Sequence, residues 1–282
     1  MADYGRPLEF GASVAPLADP PDFAARVEVA ADRAGLDLVG IQDHPYQRRF
    51  LDTWTLISTL VHLTERIRFF LDVACLPLRP PAVLAKTAAS LDVLSGGRVE
   101  MGLGAGACWD AIAAMGGPPR SPGEAVRSVE DATQVMRLVW SEERTVRFDG
   151  EIYTLQGMKP GPHPAHEIGI WVGAGGPRML DLLGRLADGW IPSMGWATPK
   201  RLPAMHERID EAASKAGRDR QEKKRLYNAS GRIGQIGHGL LEGSVSKWVE
   251  TLGASPLSSG WTPLSVGPPR TTFARSSSSP TR

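Results

Sequence analysis

Residues 66–106 read RIRFFLDVACLPLRPPAVLAKTAASLDVLSGGRVEMGLGAG, and this stretch decides the fold. Ile67 to Ala74 is a nearly unbroken apolar run, the pattern of a strand buried on both faces. Pro81 to Leu94 has helical spacing, with proline near its start and Gly96-Gly97 past its end. Val99 to Leu103 is a second apolar strand, closed by Gly104-Ala105-Gly106. Two strands joined through a helix make a βαβ unit, which implies parallel pairing.

The same alternation extends outward. Upstream, Leu8 to Val14 reads as a strand ended by Pro16 and Pro20-Pro21. Asp22 then caps a helix whose apolar positions, Phe23, Val27, Ala30, Ala31 and Ala34, keep a 3/4 spacing. Leu38 to Ile41 is the next strand, with Asp43-His44-Pro45 just beyond its end, and Thr53 to Leu63 is a helix. Downstream, a helix runs from Glu124 to Trp140, and Asp149-Gly150 sits in a hairpin. Ile168 to Val172 is a strand that leads through Gly173-Ala174-Gly175-Gly176 into a helix from Pro177 to Leu186. Gly189 to Pro192 and Arg225 to Ile233 are further strands, separated by a helix from Pro203 to Ala216. Seven strands in β-then-α order favour an α/β fold of the TIM-like (β/α)8 barrel type over a doubly wound sheet. The hairpin is then an insertion.

The pattern stops after Leu252. Residues 253–282 contain no Asp, Glu or Lys and end in a serine run. The expectation is a barrel domain over 1–252 and a Ser/Thr/Pro-rich tail over 253–282, disordered or frameshifted. The eighth βα unit is then degenerate or missing, since Leu264-Ser265-Val266 is a poor strand.

Composition narrows the function. Hydrophobic residues make up 42% and charged residues 22% of 282, so the chain can build a core. Lys plus Arg number 32 against 31 for Asp plus Glu, so no global field favours nucleic acid or an anionic membrane. Two cysteines, Cys75 and Cys108, argue against a disulfide framework and for a cytoplasmic protein. No signal peptide or membrane span is expected. His163 and His166 lie in a proline-rich loop without cysteine or helical spacing, so no metal site is expected.

In a barrel, chemistry gathers where strands end. Gly173 to Gly176 before a helix either binds an anion through free backbone amides or is only a tight turn. Gly102-Leu-Gly104-Ala-Gly106 lacks the dinucleotide spacing and suits a second cofactor or anion contact. His44 is either a general acid/base or a structural imidazole.

Together, residues 34–46 (AGLDLVGIQDHPY), 66–106 and 170–190 (IWVGAGGPRMLDLLGRLADGW) resemble the bacterial-luciferase-like family, especially its branch using the deazaflavin coenzyme F-420. The resemblance implies a TIM-like barrel with the cofactor at its C-terminal face. It implies an oxidoreductase moving a hydride between F-420 and a small organic substrate, with a possible homodimer as the working form. By the same resemblance, Asp43 and His44 sit beside the ring, and His44 handles the proton. A bulge in strand three, near Val73-Ala74, backs the ring and often carries a non-prolyl cis peptide. Gly104, Ala105 and Gly106, with Gly173, Ala174, Gly175 and Gly176, contact the ribityl-phosphate arm. Sugar-phosphate dehydrogenases of this branch have an acid where Ala107 stands here. The alternatives are an FMN-dependent monooxygenase and a barrel that binds a ligand without catalysis or is a damaged gene product.

Overall fold

The computed structural model describes residues 8–234, 241–254 and 261–264. In chain order it contains β1 (Gly11–Val14), α1 (Phe23–Arg33), β2 (Leu38–Ile41), α2 (Thr53–Leu60), β3 (Arg68–Leu71), β4 (Ala74–Cys75), α3 (Pro81–Ser95) and β5 (Val99–Gly104). Next come α4 (Trp109–Ala114), α5 (Pro122–Val139), β6 (Val146–Asp149), β7 (Thr154–Met158), β8 (Ile170–Val172), α6 (Pro177–Leu186) and β9 (Gly189–Trp190). The remainder is α7 (Leu202–Lys215), β10 (Lys224–Asn228), β11 (Arg232–Ile233), β12 (Glu242–Gly243), α8 (Val245–Ala254) and β13 (Trp261–Leu264).

Local chemistry explains several boundaries. Ser121 and Glu124 form a reciprocal capping box at the start of α5, satisfying amides the helix cannot pair itself. The Asp52 side chain accepts from the Thr55 amide and opens α2. Gly96 ends α3 in the left-handed conformation at φ 71°, which costs a side-chain-bearing residue more. Asp149 and Gly150 do turn a hairpin, with β6 and β7 antiparallel and outside the barrel sheet.

The 9-stranded sheet is parallel throughout and closes on itself. β3 and β4 are two pieces of one stave, both paired to β5, so nine strands give eight staves. The run expected as a continuous strand from Ile67 to Ala74 breaks at Asp72-Val73, where the peptide bond is cis.

The eighth βα unit was expected to be degenerate or missing, and among the described residues it is a single short strand: β13 lies in the stretch read as tail, between β10 and β1. Arg225 to Asn228 pair with Trp261 to Leu264, and Gly11 pairs with Leu264. A short strand between two existing edges takes its hydrogen-bond partners from both neighbours. It needs little apolar pattern of its own, which is why composition missed it. Ser265, Val266 and the rest of the serine-rich end lie outside the described residues.

Leu38, Phe70, Trp171, Ile191 and Leu226 form a separate apolar cluster that fills the barrel interior, with Val73 packed against it. The Phe70 and Trp171 rings meet edge to face at 5.2 Å. Glycine makes room for them: a Cβ on Gly40 would lie 2.5 Å from Phe70, and one on Gly189 would lie 2.6 Å from Trp171. The larger core, including Val39, Ile41, Phe69, Leu71, Met101 and Val172, lies between strands and helices. A plugged interior leaves the C-terminal mouth of the barrel as the floor on which a site can be built.

Candidate active site

Val73 is the centre of the mouth. Its Cγ2 lies 2.5 Å from where a Cβ on Gly104 would stand and 3.1 Å from one on Gly173. The broken stave, β5 and β8 therefore converge on this one side chain, and two of the expected cofactor glycines are small because Val73 fills their space. Ala74 and Gly104 are buried and Ala105 is half-buried. Gly106 has φ 97°, and a Cβ there would press on Pro77, Ile112 and Trp109.

The turn before α6 is different. A Cβ on Gly176 would meet nothing within 4 Å, so the space above it is open. Among the described residues no acceptor is found for the amides of Gly175, Gly176, Arg178 and Met179. Ala174 is buried and its carbonyl accepts from the Trp190 indole at 2.9 Å, which anchors the turn. The Trp196 ring packs over Gly175. Free amides at a helix N-terminus suit an anionic group.

His44 is half-buried, and its ring stacks on Tyr46 at 5.6 Å and on Phe50 at 6.4 Å. Among the described residues the imidazole has no hydrogen-bond partner. Burial pushes its pKa down, and the charges of Asp43 and Asp72 oppose that shift.

Asp43 does not offer a free carboxylate. It is buried and accepts from the Cys75 amide at 2.9 Å and from Arg79 Nε and Nη2 at 3.1 and 2.9 Å. Arg79 also holds Asp52 at 2.7 Å. Asp43 thus ties the end of β2 to the start of the second half of the broken stave. Its expected place beside the ring coincides with a strut inside the protein.

Three residues of this mouth escaped the sequence reading. Asp72 accepts from Ser13 Oγ at 2.9 Å and from Asn228 Nδ2 at 2.8 Å. Asn228 Nδ2 also reaches Ser193 Oγ at 3.4 Å, and its Oδ1 is buried without a partner. The available signal was Asp72 itself, an acid interrupting the apolar run from Ile67. Ser13 and Asn228 carry no such signal, because only ring closure brings them to it.

The other histidines stand elsewhere. His163 Nδ1 contacts its neighbour's Pro164 carbonyl, and His166 pairs with Asp92 at 2.8 Å. His238 lies outside the described residues. Among the described residues no helix is long and apolar enough to cross a membrane.

The family model described as luciferase-like monooxygenase matches residues 7–230. An F-420-dependent glucose-6-phosphate dehydrogenase of Kineococcus radiotolerans is 32% identical over 225 residues, covering 76% of this chain and 66% of that protein. A 5,10-methylenetetrahydromethanopterin reductase of Archaeoglobus fulgidus is 29% identical, covering 76% of this chain and 60% of that protein. The chain thus spans less than two thirds of the length of the curated relatives it matches. Among solved structures, an F-420-dependent secondary alcohol dehydrogenase with an F-420-acetone adduct superposes with a TM-score of 0.74 at 23% identity, covering 81% of this chain and 70% of that one. A riboflavin lyase with modified FMN gives 0.73 at 17% identity, covering 89% and 67%. The likeness to those two structures is one of fold. With the family model spanning most of the closed barrel, the chain belongs to the luciferase-like monooxygenase family.

Proposed function

We propose that this protein is an F-420-dependent oxidoreductase that moves a hydride between the deazaflavin and a small organic substrate. The observation that carries the reading is the His44 imidazole. It follows β2 at the barrel mouth, stacked between Tyr46 and Phe50, and among the described residues it has no hydrogen-bond partner. Relatives named as F-420-dependent dehydrogenases support the choice of cofactor.

The residues fit such a group. The amides of Gly175, Gly176 and Arg178 would hold its phosphate, and Ala105 and Gly106 would line the arm. Val73, Ala74, Gly104, Gly173 and Ala174 form the packed floor behind the ring. Bound F-420 supplies the hydride chemistry. His44 takes or returns the substrate proton at a ring nitrogen, and its lowered pKa keeps it neutral and ready to accept near pH 7. Tyr46 and Phe50 hold the imidazole plane. Asp43 and Arg79 keep the strand break in place behind it.

Ala107 is exposed and offers no acid, so the substrate proposed is not a sugar phosphate. Two copies of the chain are proposed as the working form, in the cytoplasm.

Titration of the purified chain with F-420 and with FMN tests the reading, with thermal shift as a first screen. The expected result is F-420 binding and F-420-dependent hydride transfer. Tighter FMN binding with oxygen consumption would replace it with the monooxygenase reading. Folded protein that binds neither would end both.

A further inference from the structure

Two carboxylates near the end of β2 act electrostatically on the His44 ring, and their own surroundings differ. Asp43, its chain neighbour, receives three donors, two of them from the Arg79 guanidinium. Its charge is compensated at contact distance. Asp72 arrives from β3, and its backbone amide donates to the Ile41 carbonyl at 2.8 Å, which sets it against the end of β2. Its carboxylate donors, the Ser13 hydroxyl and the Asn228 amide, are both neutral. Among the described residues no cation bonds to it.

We infer that Asp72 is a positioning residue for His44: its carboxylate, held by Ser13 and Asn228 at the end of β2 and lacking a counter-cation among the described residues, sets the protonation of the imidazole, while Asp43 serves as a strut. The inference rests on the proposed proton-handling role of His44 only for its catalytic consequence. A carboxylate paired with a guanidinium presents a dipole whose field falls off quickly. An uncompensated one in a low-dielectric mouth acts as a full charge.

Burial holds the Asp72 carboxyl above the usual range, against the hydrogen bonds of Asn228 and Ser13 and the attraction of His44. His44 is pushed the opposite way by the same burial. Two such groups titrate as a pair, each favouring charge on the other. The remaining titratable groups around the ring are neutral or compensated. Burial and the Cys108 contact keep the Tyr46 phenol protonated, and the Cys75 thiol is pushed up to about 11. Arg79 is held charged between Asp43 and Asp52.

The test is an NMR titration of the His44 ring in the cofactor-free full chain. In Asp72→Asn, which keeps the shape and one acceptor oxygen for the Asn228 amide while its new NH2 can donate to the Ser13 hydroxyl, the His44 midpoint should fall by about one pH unit. Asp43→Asn should move it less than half as far while lowering the melting temperature, because Arg79 loses its counter-charge and one of the three donors loses its acceptor oxygen. An unmoved midpoint in Asp72→Asn, or a larger shift in Asp43→Asn, overturns the inference. If Asp72→Asn does not fold, Ser13→Ala carries the test: loss of one donor should lower the midpoint by a smaller amount, and no shift overturns it. With F-420 and substrate, the acidic limb of kcat/KM should follow the NMR shift. A moved midpoint with an unmoved limb supports the charge assignment and overturns the His44 reading instead.

Discussion

The two ends of the barrel use the same side-chain types in opposite ways. At the N-terminal end, charges are closed into pairs. Arg68 bridges Glu9 and Glu100, Lys224 meets Glu9, and Asp188 holds both Arg137 and Arg218 at 2.9 Å. His166 lies 2.8 Å from Asp92 and 3.6 Å from Glu100, which lift its pKa to about 10, so it is a fixed cation. At the C-terminal end, His44 has aromatic neighbours and, among the described residues, no hydrogen-bond partner, and burial lowers its pKa. The same side chain is held charged where carboxylates enclose it and neutral where burial dominates, the state the proposed proton transfer needs.

The strongest way to break this comparison is His44→Ala. Turnover should fall about 10²–10⁴-fold, the range for loss of a general acid/base, with F-420 affinity and melting temperature nearly unchanged. Equal loss of binding and turnover would make His44 a binding residue.

Arg79→Ala tests the strut at the C-terminal mouth, where charges are paired as at the other end. It leaves the buried Asp43 carboxylate without its cation, and chemical denaturation should show a loss of about 3–5 kcal/mol. A change below 1 kcal/mol would mean that the pair is dispensable.

Gly104→Ala sharpens the account of the mouth. The new methyl would stand 2.5 Å from Val73, so Val73 must move. The expected cost is about 1–3 kcal/mol in unfolding free energy, with weakened F-420 binding. The double variant with Val73→Ala should recover most of the stability.

Glu28, fully buried on α1 with neither carboxyl oxygen partnered among the described residues, is an exception outside both ends. Burial raises its pKa from 4.5 to about 9. The folded chain therefore holds a proton that the unfolded chain releases, and stability declines as pH rises from 4.5 towards 9. Glu28→Gln should stabilise the protein at pH 8 by about 1–3 kcal/mol and give no gain at pH 4, by thermal melts at both.

The smallest effect is expected at His166. Its raised pKa contributes stability that is complete below pH 6.5 and is lost as pH approaches 10. His166→Gln should cost about 1 kcal/mol at pH 6, a figure kept low because the side chain is partly exposed and screened. The cost should vanish above pH 10.

Much of this was legible from local pattern. The helix from Pro177 to Leu186 was read with its observed bounds, and β2 likewise. His44 and the turn at Gly173 to Gly176 were found because they follow strands, and strand ends are visible one unit at a time. Asp43 was seen, but its engagement with Arg79 was not, since 36 residues separate the partners. The close approach of Val73 to Gly104 and Gly173 was equally hidden.

By itself the sequence determined the order of βα units, the parallel sheet and the placing of one histidine at a strand end, because each depends on periodicity within about a dozen residues. The tertiary structure alone decided that Trp261–Leu264 closes the ring and that Asp72, Ser13 and Asn228 meet across it. Those contacts span up to 156 residues of chain, and no local pattern encodes a partner brought in by closure.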